Sequence, residues 1–397
     1  MRAGPVQFRS GRALCVASRR FGVDAAAAVQ AARSSPGIAT LILPSDVSWS
    51  DGGMPAETLP VVLPSSVTPA TIAAVVRVLR SGEPTALVMA GAALEAESLA
   101  EAHRIAAATG ARLFGTTFNR PIQRGWGRHP IALLPYYVDD AMEAVAGIRH
   151  LILIGSLEPA SFFAYPGKPS LMYPESAAVH VLARPEEDVS GALAAVAGEL
   201  AAPPVPPPQT RRPVLARGPV NSVSVAQTLA ALIPEHAIIV DESISFGLGL
   251  YPGTRDAKPH DWLQLTGGSI GGGMPLAIGA AVAAPGRRVI NLEGDGSALY
   301  TIQALWTQAH EKLDVTTVIL SNRKYAILEL ELAKVAANPG RRALDLFDLK
   351  DPVLDWVRLA GSMGVEAARA ETLEEFTDLL VASYRLKGPF LIELVIP

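Results

Sequence analysis

Cysteine is nearly absent: Cys15 is the single one among 397 residues. One thiol excludes an internal disulfide framework and a Cys-rich zinc site, and it suits a reducing compartment, so a cytoplasmic protein is expected. Excess charge of either sign is missing too. With 34 basic against 38 acidic residues and a net charge of −4, no global basic surface argues for nucleic acid. No acidic tail is evident either. Two nucleotide-binding signatures are lacking, the P-loop G-x-x-x-x-G-K-[ST] and the dinucleotide fingerprint G-x-G-x-x-G. What is present is 49% hydrophobic residues against 18% charged ones, which excludes an intrinsically disordered chain.

Residues 263–286 carry no charge and are long enough for a membrane span. They also hold seven glycines, Pro275 and Pro285. A buried glycine loop followed by a helix is the better reading, and no membrane partner is expected. The first 20 residues contain Arg2, Arg9, Arg12, Arg19 and Arg20, with no acid before Asp24. That composition is like a transit peptide, but no continuous apolar face accompanies it, so no targeting segment is expected.

Polar, Gly/Pro-rich residues 46–60 and the proline-rich stretch 203–213 divide the chain. They leave a short piece over 1–45, a block over 61–200 and a block over 214–397. The first piece predicts a helix capped by Asp24 and a strand Ile38–Leu43. The second alternates helices with strands at Thr85–Ala90, Arg112–Phe114, His150–Ile154 and Val179–Leu182, with Thr68 capping a helix that opens on Pro69. The third predicts strands at Ala237–Val240, Val289–Leu292, Val315–Leu320 and Phe390–Ile396, and helices at 275–283, 298–312, 352–363 and 372–385. This alternation implies an α/β fold of doubly wound parallel-sheet domains, with ligands outside the carboxyl ends of strands.

The segment Glu293-Gly294-Asp295-Gly296-Ser297 follows a strand and opens an apolar helical pattern. Gly294 and Gly296 let backbone N–H groups approach an anion, and a helix start favours phosphate. A carboxylate there would repel phosphate unless a cation lay between, so Asp295 points to Mg²⁺. Asn322 stands 27 positions later, just past the next strand, where it offers a neutral oxygen; the carbonyl near Lys324 offers another. An isolated GDG is otherwise a common turn. No EF-hand ladder follows it, and no cluster of acids suggests a phosphatase.

GDG followed by 25 residues and an Asn resembles the thiamine diphosphate signature. TGGSIGGGMPLAIGAAVA upstream and SNRKYAIL downstream are similar to the diphosphate-binding domain of the acetolactate synthase and benzoylformate decarboxylase group. The middle block resembles that group's central domain. Residues 1–45 resemble the remnant of its pyrimidine-binding domain. The resemblance implies that Asp295, Asn322 and the Lys324 carbonyl hold Mg²⁺, and that Gly294, Gly296, Ser297, Ser245 and Tyr325 lie near the diphosphate. It further implies that the Gly268 carbonyl accepts from the aminopyrimidine and that Ile270 is the apolar wedge that bends the cofactor. The implied reaction is attack of the cofactor carbanion on a 2-oxo acid, then loss of CO₂ and protonation or carboligation.

Several residues depart from the family pattern. Ser321 replaces the first of two asparagines, and Leu299 replaces an Asn seen in some relatives. The ionising glutamate of the pyrimidine-binding domain has no counterpart, since no Glu precedes Glu57. The expectation is therefore a homo-oligomer, or a complex with a pyrimidine-binding-domain subunit as in a split decarboxylase; a non-catalytic cofactor-binding remnant and a nucleotide-binding module are the other readings. His129, in Arg128-His129-Pro130, is a candidate for proton transfer, with an ordinary surface or capping role favoured. Glu242 is read as a turn cap in preference to a substrate contact. FAD, bound by true acetolactate synthases, is possible at 88–98, but nothing there demands it.

Overall fold

A computed structural model describes residues 12–34, 37–119, 121–209 and 211–397. Arg2 and Arg9 of the arginine-rich start, and Ser35 at the end of the first predicted helix, lie outside the described residues. β1 (Arg12–Leu14) and β2 (Thr40–Ile42) pair in parallel, with the helix Phe21–Ser34 between them in sequence. Asp24 sits inside the first turn of that helix, buried and paired with Arg20, and is not its cap.

A five-stranded parallel sheet follows. It is built from β3 (Thr85–Met89), β4 (Arg112–Gly115), a strand Ala132–Leu133, and two later strands, His150–Ile154 and Ala178–Ala183. Every residue of β3 is buried, as helices on both faces require. Between β4 and Ala132–Leu133, β5 (Ile122–Arg124) leaves this sheet. The other strands are therefore β6 (Ala132–Leu133), β7 (His150–Ile154) and β8 (Ala178–Ala183). The Thr68 hydroxyl accepts from Thr71 N–H at 3.2 Å and caps the helix Pro69–Arg80 as the sequence predicts. Gly110, at φ 74°, ends the helix Ala96–Thr109.

The last sheet contains β9 (Ile238–Glu242), β10 (His260–Gln264), β11 (Val289–Gly294), β12 (Val315–Ser321), β13 (Glu366–Ala370) and β14 (Phe390–Val395). Its order is β13-β14-β12-β11-β9-β10-β5, and only β5 runs antiparallel. The chain passes from β9 to β10 on one side, then crosses to β11 on the other. The winding reverses there, which opens a crevice at the strand carboxyl ends. Among the described residues, no helix is long and apolar enough to cross a membrane. Residues 263–286 instead form a glycine loop and the helix Gly273–Ala283.

Two helices are shorter than predicted. The 298–312 pattern is a four-residue helix Asp295–Ala298, then turns, then Ala304–His310. Tight i→i+3 bonds, Tyr300 N to Ser297 O and Thr301 N to Ala298 O, interrupt it, and the Thr301 hydroxyl is drawn to Gly271 O at 2.8 Å. The 352–363 helix starts only at Trp356, capped by Asp355. β10 (HDWLQ) and β13 (EAARA) escape the sequence reading because neither is an apolar β-branched run.

The β5–β10 seam buries a histidine. His260 is fully buried; its Nδ1 lies 2.7 Å from Lys258 O, and its Nε2 has no partner. Burial pushes its pKa down to about 3. The unfolded histidine protonates near 6.5, so the stability it contributes is complete above that pH and is lost as pH falls toward 3. At about 1.4 kcal/mol per unit, this window is worth a few kcal/mol. Melting temperature should drop on acidification from pH 6.5 to 4, with a shallower slope in His260→Gln. An identical slope in that variant would contradict the burial argument.

Candidate functional site

Three strand ends converge. Glu242 pairs in register with Glu293, and Gly294 with Leu320, so the loops after β9, β11 and β12 open side by side. A Cβ on Gly294 would lie 3.7 Å from Glu242 O. Asp295 is buried at 3% exposure. Its Oδ1 accepts from Gly296 N–H at 2.9 Å and its Oδ2 from Arg323 N–H at 2.6 Å. The second bond ties the GDG loop to the loop after β12, where Asn322 Oδ1 accepts from Lys324 N–H at 3.0 Å. Asp295 and Asn322 are thus brought together. The Lys324 ammonium turns away to Glu329 at 3.0 Å. A Cβ on Gly296 would meet two ring carbons of Tyr325 at 2.5 Å, so this glycine is sterically required. Ser297 is buried beside it, and Ser245 is half-buried in the short helix Ile244–Gly247 just past β9.

Burial pushes the Asp295 carboxyl up to about 6. A buried carboxylate held that high is one that a cation would stabilise. The donor set, one carboxylate, one amide oxygen and nearby carbonyls, suits a hard oxygen-seeking ion rather than zinc. Among the described residues, no cluster of three or more His, Cys, Asp or Glu side chains offers another metal site.

The second wall is the glycine loop. Gly267, Gly268 and Gly271 adopt φ of 70°, 64° and 87°, which L-residues with side chains resist. The Phe162 ring packs directly on Gly268, leaving no room for a Cβ. Ile270 stands 42% exposed, its N–H donating to Gly268 O at 3.0 Å. The buried Glu242 carboxylate accepts from Gly271 N–H at 2.5 Å and from Gly273 N–H, so it ties down this loop. Behind it, fully buried Glu293 accepts from Asn291 Nδ2 at 3.0 Å. Burial, reinforced by Glu242, holds the Glu293 carboxyl well above the ordinary range. Burial raises the Glu242 carboxyl as well, so this dry site disfavours charging both acids at once.

Phe162 and the Glu242–Glu293 pair are what residue-by-residue reading missed. Phe162 belongs to a cluster with Phe118 (5.6 Å), Tyr136 (5.9 Å) and Phe163 (5.2 Å) contributed by the five-stranded-sheet segment. Its only sequence signal is an unusual density of aromatics. His129 is not brought to the strand ends. Arg124 pairs in register with His260, at the start of β10, and His129 lies in the turn that follows, stacked on His103 at 4.5 Å. The site residues cluster at the opposite ends of the strands. Burial lowers the pKa of His129, so it is a neutral buried histidine.

A doubly wound sheet with an acid-bearing glycine turn at its switch point defines a phosphate-anchored cofactor protein. Residues 249–394 match the family model described as thiamine pyrophosphate enzyme, C-terminal TPP binding domain. The "Putative acetolactate synthase large subunit IlvX" of Mycobacterium tuberculosis is 48% identical over 384 residues, covering 96% of this chain and 74% of that protein. A benzoylformate decarboxylase of Pseudomonas aeruginosa is 36% identical over 192 residues, 48% of this chain and 35% of that protein. The fold is also that of the 4-hydroxybenzoylformate decarboxylase of Rhodococcus jostii, with TM-score 0.75, 23% identity and coverage of 96% of this chain and 75% of that one. The chain belongs to the thiamine diphosphate-dependent family of acetolactate synthase- and 2-oxo acid decarboxylase-like enzymes.

Proposed function

We propose that this chain binds thiamine diphosphate through Mg²⁺ and acts on a 2-oxo acid. Asp295, Asn322 and the Lys324 carbonyl would hold the metal. Ser245, Gly294, Gly296, Ser297 and Tyr325 would surround the diphosphate. The Gly268 carbonyl would receive the aminopyrimidine, with Ile270 beneath the rings. The bound cofactor supplies the electron sink that makes CO₂ loss from a 2-oxo acid feasible. The protein's own part is to anchor, bend and shield. Asp295 places charge on the metal, the glycine loop lets backbone approach, and Glu242 keeps that loop fixed. The observation that carries the reading is the Asp295 bond to Arg323 N–H, which joins both metal-ligand loops at one point.

We read 1–45 as belonging to the pyrimidine-binding domain, 61–200 as the central domain and 214–397 as the diphosphate-binding domain. A cytoplasmic location accords with the lone buried thiol of Cys15. FAD has no residue arguing for it. The chemistry needs an acid near the pyrimidine, yet Glu242 is already engaged by glycine amides, and Glu293 lies buried behind it with one oxygen taken by Asn291. This favours a second subunit that bears the glutamate.

Calorimetric titration with thiamine diphosphate, with and without Mg²⁺, tests the reading. Saturable, Mg²⁺-dependent binding is expected, and no binding under either condition would overturn it. Ile270→Ala should keep the diphosphate anchored, changing affinity less than tenfold, while slowing any turnover. Abolished binding in that variant would show the glycine loop to be wrongly assigned.

A further inference from the structure

Where β5 meets β10 there is a separate cavity of about 280 Å³. Arg124, Arg128, His129, Tyr251, Arg255 and Asp256 line it, so three arginines face one carboxylate. It lies beside the start of β10, away from the strand carboxyl ends that carry Asp295 and Asn322.

Arg124 is the anomaly. It is 5% exposed, stacked 3.9 Å above the Tyr251 ring, and one Nη donates to Tyr251 O at 2.5 Å. Its other Nη has no partner, and among the described residues no carboxylate comes within ion-pair distance, although Asp241 and Asp256 act on it from further off. Buried arginines are almost always paired, because an uncompensated buried charge is costly. Burial already weakens the guanidinium's hold on its proton, to about 10. Nearby, Arg128 leans on His260 O at 3.0 Å and on Asp261 at 3.5 Å. Arg255 stands half-exposed at the rim, 3.7 Å from Asp256. His129 is buried with Nδ1 unpartnered. One wall thus holds two buried side chains with open nitrogens and two further cations at the mouth. Guanidinium forks match the paired oxygens of carboxylates and phosphates. The volume sits below the ~300 Å³ at which pockets for drug-sized ligands begin, so the ligand is small.

We propose that this cavity binds a small multivalent oxyanion, gripped by Arg124, Arg128 and Arg255, at a site separate from the cofactor's. Pyrophosphate and citrate are the probes, one for a phosphate-bearing ligand and one for a polycarboxylate. Each is titrated calorimetrically into the full chain in EDTA, against sodium chloride of equal ionic strength. At least one should bind saturably, and which one identifies the chemistry. Arg255→Ala and Arg128→Ala should each weaken it at least tenfold. Arg124→Lys, which keeps charge and loses the fork, should weaken it further; the exposed Arg255→Ala keeps the test informative if Arg124→Lys does not fold. Asp295→Ala should bind the probe unchanged. Binding by neither probe, wild-type affinity in both rim variants, or loss of binding in Asp295→Ala would each overturn the proposal. The last would place the ion in the cofactor site. Failure of thiamine diphosphate to bind would leave this site untouched.

Discussion

Asp295→Ala should weaken thiamine diphosphate binding by about 2–3 kcal/mol, on the order of a hundredfold. The variant removes the one carboxylate among the proposed metal ligands. It also cuts the bond to Arg323 N–H that holds the second ligand loop in place. Asp295→Asn separates these effects, since it keeps an oxygen for that N–H and loses only the charge. Its affinity should fall between wild type and alanine. Wild-type affinity should collapse similarly in EDTA. If calorimetry returned the same affinity in Asp295→Ala, or in the presence of EDTA, the metal assignment would be wrong.

The 397-residue chain on its own should release little or no CO₂ from pyruvate or an aromatic 2-oxo acid. A separately expressed glutamate-bearing pyrimidine-binding domain should raise that rate by orders of magnitude. Ionising the pyrimidine requires a carboxylic acid within hydrogen-bond reach of its ring nitrogen. Glu242 cannot serve without releasing the glycine loop it ties down, and Glu293 is buried behind it on Asn291. The surface around the loop invites a partner: Ile270, Tyr300 and Trp306 stand 42%, 62% and 57% exposed. Around β1 and β2, Val16, Val23 and Ile38 are exposed as well. Exposed large apolar side chains near a site are candidates for a covering partner. Sedimentation should therefore show an oligomer or, with the added domain, a complex. Rapid turnover by the pure chain would mean that another acid does the work.

Local chemistry made much of this protein legible in advance. The Thr68–Pro69 helix start, the Gly110 stop and the buried strand TALVM each obey rules that act within a few residues. The GDG loop and Asn322 could be linked across 27 positions because one βαβ unit has a nearly constant length. By contrast, β10 and β13 are held by their neighbours and not by their own propensities, so no local pattern announced them. The helix after Asp295 breaks because Thr301 bonds to Gly271, a contact 30 positions away.

What only the tertiary structure decided concerns contacts between segments remote in sequence. The sequence suggested a turn cap at Glu242; packing determined which amides it takes and placed a second buried acid, Glu293, behind it. Phe162 entered the site only because the fold laid its ring on Gly268. His129 was a candidate for proton transfer with an ordinary structural role favoured, and the pairing of Arg124 with His260 set it at the far end of the sheet. That same pairing buried Arg124 with no carboxylate at ion-pair distance among the described residues. Residue type and spacing determine which atoms are available and what their short-range partners can be. Burial and the company a charge keeps depend on chain crossings that sequence spacing does not encode.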